Sequence, residues 1–427
     1  MIKLLNNTKV SFFEYFFVFC FLIYAGGATV FTREIGDIRT AGNAFAFIIT
    51  LIPFLSGKIK LSQNYFKAIA VFLLYAFSTA IVYSNLNWWW ISVNFLKLTY
   101  GYAICQLLGD KLFATVETIL YHLSIISFPF WLILLISPDM LNTIVHTFEF
   151  SESPGEGATV LANMIIYTMP NLDYGLQQFT IFARNPGFAW EPGAFASMLC
   201  LGLYCNKLRT GFRFRHNRPF WIFVLALATT QSTTGFSIFG IMILLLLIEK
   251  KTLWPLFFLV PAVMYVMGLS FMGDKFEFEL QRVQDIDSSL KGQQGRFVSF
   301  ALDWEEFKHH PILGLGCNYQ NTWLRQQGWE VSTVSGLGDL LSTYGLIITI
   351  LFVYLLIKSA VTINLNFGIK DPWILVAVII GTMISYGLWE SPIYIAFWLY
   401  CVFHRNSHDG ANINHKPNFD ENIYINR

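Results

Sequence analysis

The sequence predicts an all-α polytopic membrane protein, a single bundle of about 12 transmembrane helices. Of the 427 residues, 55% are hydrophobic and 13% are charged, whereas about 25% of the residues of a soluble domain are charged. Apolar stretches of about 20 residues, the length that crosses a bilayer, recur along the chain. This composition excludes a soluble globular protein, a disordered chain and a fibrous repeat. The formal net charge of +1 offers no basic surface for nucleic acid.

Ten apolar stretches predict one spanning helix each, and an eleventh, 219–249, predicts two because a polar run at 229–235 interrupts it. Pro192 lies near the start of its stretch, where proline suits the first turn of a helix. The ten single spans are predicted at 10–31, 40–56, 65–84, 92–108, 115–137, 190–206, 252–272, 337–358, 373–390 and 392–405.

The lysines and arginines of the short loops set the predicted orientation, because such residues stay on the cytoplasmic side. The segment 207–218 holds five of them and no acid, and a lysine pair follows the stretch 219–249. Both ends of that stretch are therefore expected inside, with both chain termini cytoplasmic. In this prediction residues 1–405 form a single transmembrane bundle, and residues 406–427 form a cytoplasmic polar tail.

Two long segments, 138–189 and 273–336, face outward in this topology and hold most of the polar chain between predicted spans. Long loops without regular structure are usually functional. The chemistry of the protein is therefore expected on the extracytoplasmic side, with both loops forming part of the active site.

The first candidate cluster is RNPGFAWEPGAFASM, in which Arg184 and Glu191 bracket the start of a helix. A glutamate in the first turn interacts favourably with the helix dipole, and an Arg184–Glu191 salt bridge is a second structural interpretation. The functional alternative is that the pair holds a lipid phosphate and accepts a proton, since charges near the bilayer are costly unless paired or functional.

The second candidate cluster is GRFVSFALDWEEFKHHPILGLG. After Arg296, apolar residues at helical spacing predict an amphipathic helix on the membrane or the bundle. An arginine at a helix start is unfavourable for the helix dipole and calls for a nearby anion, such as a diphosphate. His309 and His310 end this helix before Pro311, either as partners of the helix C-terminus or as proton carriers.

Three further polar residues are candidate sugar-binding groups. Gln231 and Ser232 lie in the polar run, where their side chains could instead cap helix ends. Asp339 and Glu390 lie near outer helix ends and could face one cavity. The sequence contains no Walker loop, dinucleotide-binding glycine pattern, zinc-ligand spacing or DxD-like pair. No cofactor or metal is therefore expected, and an activated donor would arrive already attached to a lipid.

Four segments in this order resemble the O-antigen polymerase and O-antigen ligase family of bacterial envelope proteins over about residues 184–358. They are the first cluster, the polar run at 229–235 with the apolar residues after it, the second cluster, and SGLGDLLSTYGLIITILFVYLL. The resemblance implies a metal-independent glycosyltransferase with a GT-C-like bundle in the bacterial inner membrane and a site facing the periplasm. The resemblance also implies that the donor is a glycan on undecaprenyl diphosphate, bound by arginines. By position, Arg184 matches the arginine ahead of the EP motif, Glu191 the acid of that motif, and Arg296 the arginine of the GR motif. Ligases carry a histidine where this chain reads TVSG at 333–336, so the resemblance favours a polymerase.

The expected function is therefore polymerisation of the repeat units of a surface polysaccharide, either O-antigen or capsule. The alternatives are a ligase that moves finished glycan to lipid A core and, in another class, a flippase or transporter of the lipid-linked glycan. The general base stays open between Glu191 and His310. The expected partners are the undecaprenyl-diphosphate-linked oligosaccharide, membrane lipid, and a chain-length regulator and flippase. The expected site residues are Glu191, His310 and Arg296 for catalysis, Arg184 and Arg296 for the diphosphate, and Gln231, Ser232 and Asp339 for the sugar.

Overall fold

The computed structural model describes most of the chain, although the predicted span 252–272, the tail 406–427 and parts of both long loops lie outside the described residues. In 36–42, 160–161 and residue 297 only the backbone is described. The described ranges are 10–26, 36–148, 160–170, 182–211, 215–249, 296–326, 334–369 and 371–404.

The described chain is mostly helical, as predicted. A short antiparallel hairpin inside the first long loop, β1 (Val160–Asn163) and β2 (Thr168–Pro170), was not predicted. The helices are α1 (Phe12–Gly26), α2 (Gly36–Leu55), α3 (Gln63–Val82), α4 (Trp88–Leu108), α5 (Lys111–Ile136), α6 (Pro138–Thr147), α7 (Pro192–Thr210), α8 (Arg218–Thr230), α9 (Thr233–Glu249), α10 (Arg296–His309), α11 (Trp323–Gln326), α12 (Gly336–Asn366), α13 (Trp373–Ser385), α14 (Pro392–Trp398) and α15 (Tyr400–Phe403).

Among the described residues, three helices are long and apolar enough to cross a membrane: α3, α5 and α12. The other described helices in predicted spans are shorter or less apolar. The count of twelve spans therefore stays a prediction.

The stretch 219–249 forms two helices, as the sequence predicts. Helix α8 ends at Thr230, and α9 begins three residues later. Gln231 adopts a left-handed backbone conformation with φ 45°, and Ser232 accepts a hydrogen bond at 3.2 Å from the backbone N–H of Gly235. This serine caps α9, which is the structural role considered for it.

Helix α7 lies at the centre of the bundle and is buried on all sides along most of its length. It packs against α5, α8, α9 and α13. Pro192 is the first residue of this helix, as predicted, and Glu191 directly precedes it. The central position of α7 therefore places Glu191 between helices rather than on the outer surface.

A kink divides α12 at Gly345, whose φ is 69° and ψ is −179°. A Cβ at Gly345 would lie 2.5 Å from the backbone nitrogen of Gly314, so the two backbones approach where only glycine fits. Tyr75 on α3 donates a hydrogen bond at the same place, with the carbonyl oxygens of Leu313 and Thr343 both at 2.9 Å. The first nine residues of α12 are thereby fixed against the loop that follows α10.

Candidate functional site

An ion pair joins the two sequence clusters at the start of α7. The Arg296 Nη2 atom lies 2.6 Å from Glu191 Oε1, and Arg296 also donates to the hydroxyl of Tyr386. That hydroxyl donates to Glu191 Oε1 at 3.2 Å, while the guanidinium carbon lies 4.7 Å from the centre of the Tyr386 ring. Two segments far from Arg296 in sequence, those of Glu191 and Tyr386, therefore hold its guanidinium by charge, hydrogen bonds and a cation–π contact.

Gly193 makes the room that Tyr386 needs. A Cβ at Gly193 would lie 1.7 Å from the Tyr386 hydroxyl oxygen, closer than any side chain allows. The ring of Trp190 packs edge-on against the Tyr386 ring, with 5.7 Å between centroids. The EPG sequence thus supplies the carboxylate, the helix start and the space for the phenol.

The polar run contributes Thr234 to this cluster. Arg296 Nη1 donates to Thr234 Oγ1 at 3.2 Å, and that oxygen lies 2.7 Å from Ser385 Oγ. Gln231 instead donates from Nε2 to the carbonyl oxygen of Phe182 at 2.8 Å. The sugar-binding roles predicted for Gln231 and Ser232 stay predictions.

Arg184 lies beside the same cluster and is 4% exposed. Its Nε donates to the carbonyl oxygen of Thr230 at 2.9 Å. Burial lowers the pKa of Arg184, while the charge of Glu191 opposes that change and the charge of Arg296 adds to it. The Arg184–Glu191 salt bridge considered as a structural interpretation is absent among the described residues, because the direct ion pair of Glu191 is with Arg296.

We call Arg184, Glu191, Arg296 and Tyr386 the Arg296 cluster. Its two guanidinium groups both interact electrostatically with one carboxylate, so the cluster carries an excess of positive charge. The side chains of Arg296 and Glu191 are 20% and 27% exposed, so a ligand can reach them. Guanidinium groups suit phosphate oxygens because they are planar, permanently charged and able to donate two parallel hydrogen bonds. The arrangement is therefore suited to holding an anionic group between helices.

A second charged group lies inside the bundle. Lys97 Nζ lies 2.5 Å from Glu390 Oε2, and the hydroxyl of Tyr344 donates to Glu390 Oε1 at 2.8 Å. Asp339 interacts electrostatically with both Lys97 and Glu390, and Thr343 Oγ1 donates to Asp339 Oδ1 at 2.9 Å. We call Lys97, Asp339, Tyr344 and Glu390 the Lys97 cluster.

The two clusters are neighbours. A 3-10 turn, Gly387–Glu390, begins directly after Tyr386 and ends in the Lys97 cluster, a rise of about 8 Å for four residues. A Cβ at Gly336 would lie 2.2 Å from the carbonyl oxygen of Tyr386, so the start of α12 touches the same turn. Asp339 and Glu390 interact electrostatically, and the cavity that the sequence suggests they share stays a prediction.

His310 lies away from the Arg296 cluster. It follows the last residue of α10, whereas Arg296 begins that helix, and fourteen residues of α-helix rise about 21 Å. His310 Nδ1 lies 3.1 Å from the Tyr83 hydroxyl, and Nε2 lies 3.8 Å from Glu306 Oε1. Burial lowers the pKa of His310, and His309 lowers it further. The structure does not bring His310 to the predicted diphosphate site.

Comparison with known proteins identifies no family for this chain. No protein-family model matches the sequence, and no curated protein matches it. Within the described ranges, no three histidine, cysteine, aspartate or glutamate residues are grouped so that they could hold a metal ion. The chemistry of this protein is therefore inferred from the Arg296 and Lys97 clusters.

Proposed function

We propose that this protein is a membrane glycosyltransferase that polymerises the repeat units of a surface polysaccharide, O-antigen or capsule. It transfers the growing glycan from undecaprenyl diphosphate to the next lipid-linked unit. The observation that supports this proposal is the convergence of Arg184 and Arg296 around Glu191 and Tyr386, within a bundle of apolar helices.

The chemistry explains why two arginines are required. When the bond between the anomeric carbon and the phosphate oxygen breaks, negative charge develops on the departing diphosphate. Fixed guanidinium groups in a partly dehydrated site stabilise that charge strongly. Arg296 exchanges Glu191 for phosphate oxygens, while the buried Arg184 supplies a second positive charge. Glu191 orients Arg296 before the donor binds.

The proposed substrate is a lipid, so the proposed site lies within the membrane. The protein lies in the bacterial inner membrane as a GT-C-like bundle of about twelve helices, with both termini cytoplasmic and the site facing the periplasm. Charged residues between apolar helices are costly, and where they occur they usually mark substrate sites. A lipid-linked substrate can reach such a site from the bilayer, which suits two clusters whose ion pairs are only about a fifth to a quarter exposed.

The test uses purified full-length protein in detergent with a lipid-diphosphate-linked repeat unit from the native host. Wild type is compared with Arg296→Ala, Arg296→Lys and Arg184→Ala. Arg325→Ala is the matched control, because Arg325 is exposed and its guanidinium group donates to the carbonyl oxygen of Gln320. Products are resolved as a ladder of polymer lengths on a gel.

A ladder from wild type and Arg325→Ala, lost in folded Arg296→Ala and Arg184→Ala, supports the polymerase. We expect Arg296→Lys to retain only weak activity, because a lysine keeps the charge without the fork of donors. Transfer to a lipid A core acceptor without a ladder would identify a ligase instead. Movement of the lipid-linked unit across proteoliposomes without any transfer would identify a transporter.

A further inference from the structure

The Lys97 cluster has no role in the diphosphate site, yet it places three charged side chains between helices. Lys97 comes from α4, Glu390 from the 3-10 turn and Asp339 from α12. The side chains of Lys97 and Glu390 are 20% and 23% exposed, and Asp339 is half-buried. A ligand can therefore reach the cluster. Ionisable residues inside a bundle of apolar helices usually serve a substrate or proton.

The two carboxylates of the cluster differ in how their oxygens are used. Glu390 has one oxygen bound by Lys97 and the other by Tyr344. Asp339 accepts a hydrogen bond from Thr343 on Oδ1, and no described residue donates one to its Oδ2. One lysine faces two carboxylates, so the cluster carries an excess of negative charge. Asp339 is therefore the carboxylate with an oxygen available for a proton.

Two buried polar groups beside Glu390 have no hydrogen-bond partner among the described residues. They are Trp389 Nε1 and Ser391 Oγ, in side chains that are 4% and 8% exposed. The ring of Trp389 packs edge-on against the ring of Tyr344, with 5.2 Å between centroids. Buried polar groups in native proteins almost always have partners. A polyhydroxylated ligand such as a sugar would supply both a hydrogen-bond acceptor and a donor here.

Asp339 lies close to the diphosphate site along the backbone. Asp339 follows Gly336 by three residues, about 4.5 Å of helical rise, and Gly336 touches the backbone of Tyr386. The phenol of Tyr386 contacts Arg296. A hydroxyl beside Asp339 and an anomeric carbon attached to a diphosphate on Arg296 would therefore lie on either side of one short turn.

We propose that the Lys97 cluster is the acceptor-sugar subsite, and that Asp339 takes the proton of the attacking acceptor hydroxyl. This inference rests on the proposed function. The acceptor oxygen forms a bond to the anomeric carbon of the donor as the bond from that carbon to the phosphate oxygen breaks. The electron pair leaves with the diphosphate, and the hydroxyl proton moves to Asp339 Oδ2. Lys97 and Tyr344 position Glu390, while Trp389 and Ser391 bind hydroxyls of the acceptor.

Titratable groups from several packed elements surround Asp339, and one of them, Tyr344, lies on α12 itself. Lys97 and Glu390 interact with Asp339 directly, whereas Tyr24 on α1 interacts with Lys97. Tyr75 on α3 and Tyr344 on α12 interact with Asp339 as well. Only the three charged members are expected to set the pH dependence near neutrality, because tyrosine ordinarily titrates near pH 10.

The experiment measures single-turnover transfer and donor binding separately, using full-length protein and the native lipid-linked unit. Asp339→Asn is expected to slow transfer at least about 100-fold, the usual effect of removing a general base, and to change the dissociation constant for undecaprenyl diphosphate by less than about twofold. Asp339→Ala is expected to regain part of the lost rate when formate is added as an external base. Asp139→Asn, at an exposed aspartate in the first turn of α6, is the matched control.

Transfer within threefold of wild type in Asp339→Asn would overturn the inference. So would a variant that loses donor binding together with transfer, since Asp339 would then serve the diphosphate site. If Asp339→Asn does not fold, Ser391→Ala provides the test, with an expected rise in the apparent KM for the acceptor unit and an unchanged donor dissociation constant. An unchanged KM would also overturn the inference. Failure of the wild type to transfer glycan at all would instead remove the proposed function, and the acceptor subsite with it.

Discussion

Glu191 forms an ion pair with Arg296, so a bound diphosphate has to displace this carboxylate or lie beside it. The ion pair is 2.6 Å long, and both side chains are only partly exposed. Replacing Glu191 with glutamine keeps the shape of the side chain and removes its negative charge. We therefore expect Glu191→Gln to bind undecaprenyl diphosphate more tightly than wild type.

The size of this gain in affinity follows from the repulsion between the Glu191 carboxylate and the phosphate, which Glu191→Gln removes. A carboxylate about 5 Å from a phosphate charge is repelled by about 3 kcal/mol at an effective dielectric constant of about 20. Solvent reaches both side chains of the pair, so the effective dielectric constant lies between this value and that of water and the repulsion falls to about 1.4 kcal/mol. That value corresponds to about a tenfold lower dissociation constant.

The assay is titration calorimetry of full-length protein in detergent with undecaprenyl diphosphate at low salt. Glu305→Gln is the matched control, because the Glu305 side chain is 47% exposed and pairs only with Lys308 of the same helix among the described residues. We expect no change in affinity from that variant. Arg296→Gln is expected to weaken binding at least tenfold, since a charge-assisted contact to phosphate is lost.

An affinity of Glu191→Gln equal to or weaker than that of wild type, with an unchanged control, would refute this reasoning. It would mean that Glu191 does not compete with the ligand for Arg296. Thermal unfolding measured beside binding keeps the result interpretable, because a variant that is unfolded at the assay temperature cannot report affinity.

Three further predictions test the parts of the fold that hold the clusters. In Gly193→Ala the new methyl group meets the Tyr386 hydroxyl, so we expect transfer to fall more than tenfold and the free energy of unfolding to fall by about 1–3 kcal/mol. Gly240 has open space around it, so the free energy of unfolding of Gly240→Ala should rise by about 0.5–1 kcal/mol. Equal transfer activity of the two variants would contradict the role of Gly193. Tyr386→Phe should lower affinity for the diphosphate about three- to tenfold through two lost hydrogen bonds, and calorimetry showing no change would count against Tyr386 as a positioning residue. The fold favours neutral His310, because its pKa lies below the ordinary value of 6.5. The unfolded chain therefore binds more protons than the folded chain near that pH, and stability falls as the pH falls. The thermal unfolding temperature should depend less on pH between 7 and 5 in His310→Gln than in wild type, and the same dependence in both proteins would refute this assignment.

The helix boundaries near the site could be predicted because their signals are local. Pro192, two residues after the start of the predicted apolar stretch 190–206, marked the start of α7, and the polar run at 229–235 divided α8 from α9. Arg296 was expected at the start of an amphipathic helix, and it is the first residue of α10. Each of these predictions needed only the order of residues within one or two helical turns.

The partners of Arg296 could not be predicted, because they come from distant segments. Tyr386 follows Glu191 by 195 residues, and no local pattern in its surroundings distinguishes it from the other 18 tyrosines of the chain. Lys97 did carry a signal, since a single lysine within an apolar stretch is costly and rarely accidental. His310 shows the opposite problem: its residue type suggested proton transfer, but helix length alone separates it from Arg296 by about 21 Å.

In the proposed transfer reaction, the opposite charges of the two clusters separate the departing diphosphate from the departing proton. The Arg296 cluster has two guanidinium groups for one carboxylate, whereas the Lys97 cluster has two carboxylates for one ammonium group. Each excess is unfavourable alone between apolar helices, but the two lie within about 8 Å of backbone and partly compensate one another. In the proposed reaction the diphosphate departs toward the positive cluster and the hydroxyl proton moves toward the negative one. A site that only bound a lipid phosphate would have no use for the second cluster, so the pair of opposite excess charges favours chemistry over simple binding.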